Sequence, residues 1–189
     1  MTQALLDQFV VRTRVSFVWN YEKDEKWLTD LSAQGQHLVE PGTFRYVFKK
    51  DTSARYVYRM DYHQIKEKEQ LNEYYALFKD MGWEHIGSNM GWHYFRKPYA
   101  EGDTSTHIYT DRSSLKQLLK RIQFMLMMLA FANVPIMIVN SINTWKWSDD
   151  AKPFSGLIGV VVVFQLVVVL LLLYGTARFQ RKIRRLDEH

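Results

Sequence analysis

From Gly156 to Gly175 the chain carries no charged side chain for about 20 residues, the length a helix needs to cross a hydrocarbon core. Within it Val160 to Leu173 reads VVVVFQLVVVLLLL, longer than the usual apolar face of a soluble core helix. A second uncharged run, Ile122 to Ile142 (IQFMLMMLAFANVPIMIVNSI), is of similar length and holds Asn133, Pro135 and Asn140. Proline is tolerated in membrane helices. Both runs therefore read as transmembrane helices, and the slightly negative mean hydropathy only averages them with a polar front portion. The first residues, MTQALLDQF, lack the basic start and apolar stretch of a signal peptide.

The net charge of +5 could point to nucleic acid if it were spread over the polar portion. Up to Ser113, however, about 15 basic side chains face about 16 acidic ones. The excess flanks the apolar runs: Lys116, Lys120 and Arg121 precede the first, while Arg178, Arg181, Lys182, Arg184 and Arg185 follow the second. The connecting NTWKWSDDAKPF balances Lys146 and Lys152 against Asp149 and Asp150. By the positive-inside rule both termini lie in the cytoplasm, the connection lies outside, and the eight flanking cations meet lipid headgroups. Trp145 and Trp147 suit the outer interface, Tyr174 and Phe179 the inner one. The absence of cysteine is consistent with a reducing cytoplasm.

The front portion alternates strand and helix signals. Val11, Thr13, Val15, Phe17 and Trp19 alternate with Arg12, Arg14 and Ser16, which predicts a first strand with an apolar side. Asn20 is placed to cap a helix whose stripe is Trp27, Leu28 and Leu31 and whose end is Gly35. Phe44, Tyr46 and Phe48, then Tyr56, Tyr58, Met60 and Tyr62, read as two aromatic strands joined through DTSA. A second helix carries Leu71, Tyr74, Tyr75, Phe78 and Met81, and Gly82 closes it.

Placing Gly35 on Gly82 aligns EKWLTDLSAQGQHLVEPGTFRYVFKK with EYYALFKDMGWEHIGSNMGWHYFRK. Each is a helix, a glycine, a short strand, a glycine-containing turn and an aromatic strand ending in two basic residues, repeated at about 47 or 48 residues. The expectation is an α+β head built as a duplicated βαβ, a ferredoxin-like sheet with two helices on one face. The predicted boundaries are a head over 1–97, a polar linker over 98–114 with a short strand at His107 to Tyr109, and a first transmembrane helix with its basic lead-in over 115–142. An external loop over 143–154, a second transmembrane helix over 155–177 and a basic tail over 178–189 complete the chain.

The segments EKWL, LSAQGQHL, YRMDYH, EYYALFKDMGWE and WHYFRK resemble a bacterial family of uncharacterised membrane proteins, domain of unknown function 2812. The resemblance covers roughly Phe9 to Asp111, and GWE and FRK are its most specific parts. It implies a soluble head followed by membrane spans. Through family members encoded beside PadR-type transcription regulators, it also implies a regulatory or membrane-response role. It transfers no catalytic residue.

Candidate chemistry is sparse. His85 and His93 fall opposite one another if a hairpin turns about Ser88 to Met90, but two imidazoles do not make a metal site, and no metal or cofactor is expected. Asp61 and His63 share a strand face without a nucleophile motif beside them. No phosphate-binding glycine loop and no metalloprotease helix is present. Arg12, Arg14, Arg45, Lys49, Arg55 and Arg59 alternate with the core residues, which predicts a basic open face for an anionic ligand or a partner. RNA recognition needs exposed stacking aromatics among such cations, so nucleic acid is not an expected partner. Within the spans, Asn133 and Gln165 lie at similar depth from the basic flanks and are expected to bond between helices.

The expected function is a two-span, multi-pass protein of the cytoplasmic membrane whose head binds a ligand or partner in a regulatory or membrane-stress role without enzymatic activity. Its partners would be the lipid bilayer and another membrane protein or a transcription regulator, with a homo-oligomer as a further option. The alternatives are an oligomeric channel or transporter accessory subunit, and an enzyme working on the open sheet face.

Overall fold

The computed structural model describes residues 8–102, 112–146 and 152–188. The predicted strand at His107 to Tyr109, Asp111 and Trp147 lie outside them. The chain divides into two compact units at Leu118/Leu119.

The front unit is mixed α+β, in the order β1 (Phe9–Thr13), α1 (Tyr21–Ala33), β2 (Gln36–Glu40), β3 (Arg45–Lys50), β4 (Tyr56–Tyr62), α2 (Lys68–Asp80), β5 (Glu84–Asn89) and β6 (Trp92–Pro98). The expected single ferredoxin-like sheet does not form. The six strands make two three-stranded sheets, β1-β3-β2 and β4-β6-β5, and every pairing is antiparallel. DTSA is thus a passage from one sheet to the other, because β3 and β4 have different partners. The segments aligned by Gly35 and Gly82 occupy equivalent places. Both glycines follow a helix at positive φ (72° and 82°), and β2 and β5 each carry a register shift, between Leu38 and Glu40 and between His85 and Gly87.

Helix α1 explains why the sheets stay separate. As the outer strand of its sheet, β4 has a row of backbone N–H groups with no strand to receive them. Three of these, on Tyr56, Tyr58 and Met60, donate instead to Ser32 Oγ (2.8 Å), Thr29 Oγ1 (3.1 Å) and Glu25 Oε1 (2.9 Å). One helical turn rises about 5.4 Å and two strand residues about 6.7 Å, so one face of a helix can follow every second residue of a strand. The same helix presses Trp27 edge-on against Tyr46 and Phe48 of β3 and buries Leu28 and Leu31.

The face of β1 is the reverse of the sequence expectation. The strand ends at Thr13, and Val11, Val15 and Phe17 are exposed. Arg14 points inward instead: its guanidinium lies over the Trp27 ring at 4.7 Å and bonds buried Asp24 at 2.7 Å, and the Ser16 hydroxyl donates to the same carboxylate. The expected Asn20 cap also fails, since Asn20 makes no capping bond and its Oδ1 is buried without a partner.

The second sheet is covered on both faces. Val57, Phe78, Trp83 and Phe95 form a core under α2, while Tyr58, Met60, Tyr62 and Tyr94 are buried toward the other side, where Tyr94 meets the Tyr46 ring at 6.5 Å. Tyr58 also accepts the outward N–H of Leu38 in β2 at 3.0 Å.

The second unit contains the long helix α3 (Arg112–Lys146), apart from its first turns, and α4 (Lys152–Asp187). Each is long and apolar enough to cross a membrane, over Ser113–Asn143 and Gly159–Asp187. In their most apolar stretches only 17% and 6% of residues are buried, whereas the core helix of a soluble protein would be mostly covered. The helices extend into both ends of the segment expected as a loop, reaching Lys146 and restarting at Lys152.

Candidate functional site

The polar centre of the front unit lies on the α2 face of the second sheet. Cross-strand register sets Ser88 of β5 beside His93 of β6, and Asp61 of β4 on the other side of His93. Residues 85 and 88 would point to opposite faces of a regular strand. The shift between His85 and Gly87 inserts an extra residue and brings both to the same side. The expected pairing of His85 with His93 is therefore not formed: His85 stands opposite Phe95, and Ser88, which the sequence reading did not single out, stands opposite His93.

The hydrogen bonds locate one proton of His93. Its Nε2 lies 2.8 Å from the carbonyl of His63, which only accepts, so Nε2 carries a proton. The hydroxyls of Ser88 and Tyr75 lie 2.9 Å and 3.1 Å from Nδ1. His85 Nε2 reaches Ser88 Oγ at 3.0 Å, and the His85 ring stacks on Tyr75 at 3.9 Å. Burial, and then the nearby His93, hold the His85 imidazole below its ordinary pKa. From β4, the Asp61 carboxylate accepts the Tyr74 hydroxyl at 2.7 Å, and the His63 ring stands edge-on to Tyr74. Asp61 and His63 thus belong to the surroundings of His93.

His37 uses the same geometry for packing. Its Nε2 meets the Asp51 carbonyl at 2.7 Å and its Nδ1 meets Ser32 Oγ at 3.0 Å, but Ser32 is buried, whereas Ser88 is exposed. The Ser88 group therefore differs in being reachable from solvent. Among the described residues no cluster of three His, Cys, Asp or Glu side chains is placed to hold a metal ion.

Two clefts flank His85. One, of about 340 Å³, lies between β2 and β5 with His37, Lys49, Asp51, Glu84, His85 and Arg96 on its walls. Arg96 is held by a two-pronged bond to Glu84 (2.7 and 2.9 Å) and lies over the Tyr56 ring at 4.4 Å. Hydrogen bonds from Ser53 hold the Asp51 carboxyl below its usual range. The other cleft, also about 340 Å³, is more apolar and lies against Tyr75, Trp83 and His85. Mixed charge in the first and aromatic walls in the second suit small polar or amphipathic ligands.

The six cations expected on one open face are dispersed. Arg12 stands opposite Tyr46 and bonds Gln36, on the side facing α1, as does Arg14. Arg45 and Lys49, opposite Thr13 and Phe9, are on the open side among exposed Phe9 and Val11. Arg55 covers the Tyr99 ring at 3.9 Å, and Arg59 donates to the Tyr58 carbonyl with its Nε 3.9 Å from Glu25. Adjacent strand residues point to opposite faces, so a face set read across several strands depends on register.

Between the long helices the bonding partner of Gln165 is Asn140, whose Nδ2 donates to its Oε1 at 2.9 Å; Asn133 donates to Leu129 O in its own helix. The Gln123–Gln180 bond and the Asn140–Gln165 bond set an antiparallel register in which Asn133 falls near the level of Leu171. Depth counted from the basic flanks misses this, because Arg121 and Arg178 do not lie level in that register. Of the eight flanking cations, Arg178, Arg181, Lys182 and Arg185 line one cleft together with Tyr174. Lys116, Lys120, Arg121 and Arg184 are not on its wall.

An α+β unit with a solvent-reachable polar cluster is followed in the chain by two helices long and apolar enough to cross a membrane. Residues 20–131 match the family described as Protein of unknown function (DUF2812), and the chain belongs to that family. The match starts at Asn20, past β1, and runs into the apolar part of α3, whereas the sequence resemblance spans Phe9 to Asp111. No curated protein and no solved structure matches the chain.

Proposed function

We propose that the chain is an integral protein of the cytoplasmic membrane, with both termini in the cytoplasm, whose head binds a small ligand or a partner in a regulatory or membrane-stress role without catalysing a reaction. The observation that carries this reading is the outward apolar surface of α3 and α4. Residues such as Phe131, Val160, Val163 and Phe164 are more than 60% exposed, and water would penalise that surface where lipid does not. The clefts beside His85 supply a place for the ligand, and their mixed lining favours selective binding over simple adhesion.

The test has two arms. The chain should remain with membranes after alkaline carbonate extraction, with a C-terminal tag protected from protease in intact cells and cleaved after lysis. Crosslinking through a photoreactive residue at Lys49 should then capture a specific partner or ligand that Arg96→Ala reduces. Recovery of the chain in the carbonate supernatant, or a tag cleaved in intact cells, would overturn the membrane reading.

An enzymatic reading draws on one observation, the exposed Ser88 hydroxyl 2.9 Å from His93 Nδ1. It requires Ser88 to react with a fluorophosphonate probe and His93→Ala to abolish the reaction; an unlabelled Ser88 leaves the binding reading in place. The channel-accessory reading gains no such support, because the amides of Asn133, Asn140 and Gln165 all bond within the chain.

A further inference from the structure

We propose that one face of α4 is a seat for the phosphates of an anionic lipid headgroup, with a headgroup of two phosphodiesters joined by a short polyol as its best occupant. The proposal rests on the membrane reading above and adds to it a discrete site with a ligand class.

Tyr174, Arg178, Arg181, Lys182 and Arg185 line a cleft of about 320 Å³. Steps of three and four residues place them on one side of the helix, and the four cations extend over about 10 Å of its length. Among the described residues no carboxylate lines the cleft. Its position along the chain fits a headgroup: Tyr174 lies at the end of the uncharged run that closes at Gly175, and the cations begin within one turn of it. A tyrosine at that depth offers a ring to the acyl boundary and a hydroxyl to a phosphate oxygen.

The residue types favour phosphate over a diffuse attraction. Arginine presents a planar fork that can meet two phosphate oxygens, and lysine adds a point charge. One phosphodiester carries a single negative charge, so four cations along about 10 Å match two phosphates better than one. A general basic flank attracts any anionic lipid through every near-surface cation alike. A seat makes a different demand: residues on the cleft wall matter more than Arg184, which sits between them in sequence but off the wall.

The experiment compares variants of equal charge in the full chain. Vesicles of phosphatidylcholine would contain either phosphatidylglycerol or cardiolipin at the same total phosphate charge, and retained lipid would be counted by native mass spectrometry after detergent extraction. The wild type should retain cardiolipin preferentially. Arg178→Gln with Arg181→Gln and Arg185→Gln should lower that retention by more than about ten-fold and abolish the preference. Lys116→Gln with Lys120→Gln and Arg184→Gln removes the same number of charges and should weaken both lipids alike while keeping the preference. Equal loss in the two triple variants, or no preference in the wild type, would overturn the seat. So would displacement of the lipid by inorganic pyrophosphate at matched phosphate concentration, which would assign the cleft to a soluble phosphate. Carbonate extraction of the same samples separates the readings: a chain that stays in the membrane without a lipid preference loses only this proposal.

Discussion

Glu25→Gln should stabilise the front unit at neutral and higher pH and flatten its pH dependence. Glu25 accepts the Met60 N–H at 2.9 Å along the edge of β4, and only 13% of its side chain reaches solvent. Burial raises its pKa from 4.5 to about 7, although the Met60 bond and Arg59 pull in the opposite direction and Glu22 and Asp24 add repulsion. The folded chain therefore keeps a proton that the unfolded chain releases near pH 4.5. Stability contributed by the protonated carboxyl is complete below that pH and is lost as pH rises from about 4.5 to about 7, where both states are ionised. At about 1.4 kcal/mol per pH unit the gap corresponds to roughly 3.5 kcal/mol as an upper bound. Residual solvation and the loss of the Arg59 attraction bring the expected gain for the neutral amide to about 1–2 kcal/mol at pH 8. The amide oxygen still accepts from Met60. Urea unfolding of the detergent-solubilised chain, followed by tryptophan fluorescence at several pH values between 5 and 8, would measure it. Parallel pH curves for wild type and variant, or a variant less stable at pH 8, would refute the reasoning.

Ser32→Ala should destabilise the same unit by about 2–5 kcal/mol in the urea assay, because Ser32 Oγ accepts the Tyr56 N–H and serves His37 Nδ1, and both groups would be left buried without it. Met90, at φ +50° beside Gly91 at φ +82°, occupies a tight hairpin turn that favours Asn or Gly; Met90→Asn should raise the urea midpoint by the equivalent of about 0.5–1 kcal/mol, and Met90→Val should lower it. Asn140→Leu should weaken the pairing of the long helices by about 0.5–1.5 kcal/mol in a mixed-micelle unfolding assay, since it leaves Gln165 without its donor, whereas Asn133→Leu should change that pairing little.

Local signals in the sequence located most elements. The length of the uncharged runs found α3 and α4, helical spacing found Leu28, Leu31 and Phe78 as buried positions, and Gly35 and Gly82 marked helix ends. What failed depended on partners distant along the chain. Period-2 alternation identifies two strand faces but does not say which is covered, and in β1 the arginine side meets α1 because Asp24 and Trp27 offer Arg14 a carboxylate and a ring. Nothing local reveals that Glu25, Thr29 and Ser32 close the edge of β4, because polar residues on a helix ordinarily read as its solvated side. The spacing of His85 and Ser88 concealed their shared face until the bulge was visible.

The unequal work of the two helices accounts for where the head can bind. Helix α1 serves both sheets, packing Trp27 on β3 while its polar side chains close β4, so Ser32 and the His37 it supports are committed to structure. Helix α2 supports the second sheet through Phe78 and the rings of Tyr74 and Tyr75, with Phe78 its only fully buried residue. This lighter cover leaves Ser88 exposed and His85 half-buried beside a cleft, although the neighbouring His93 is buried. Two segments of similar pattern in different surroundings thus hold one histidine that packs, His37, and another that borders accessible space, His85. If ligand binding is the task of the head, His85→Ala and Tyr75→Phe should reduce capture of that ligand while urea stability falls by no more than about 1 kcal/mol, as expected for partly exposed side chains. A loss of stability as large as that of Ser32→Ala would instead make the His85 cluster a second structural fastening.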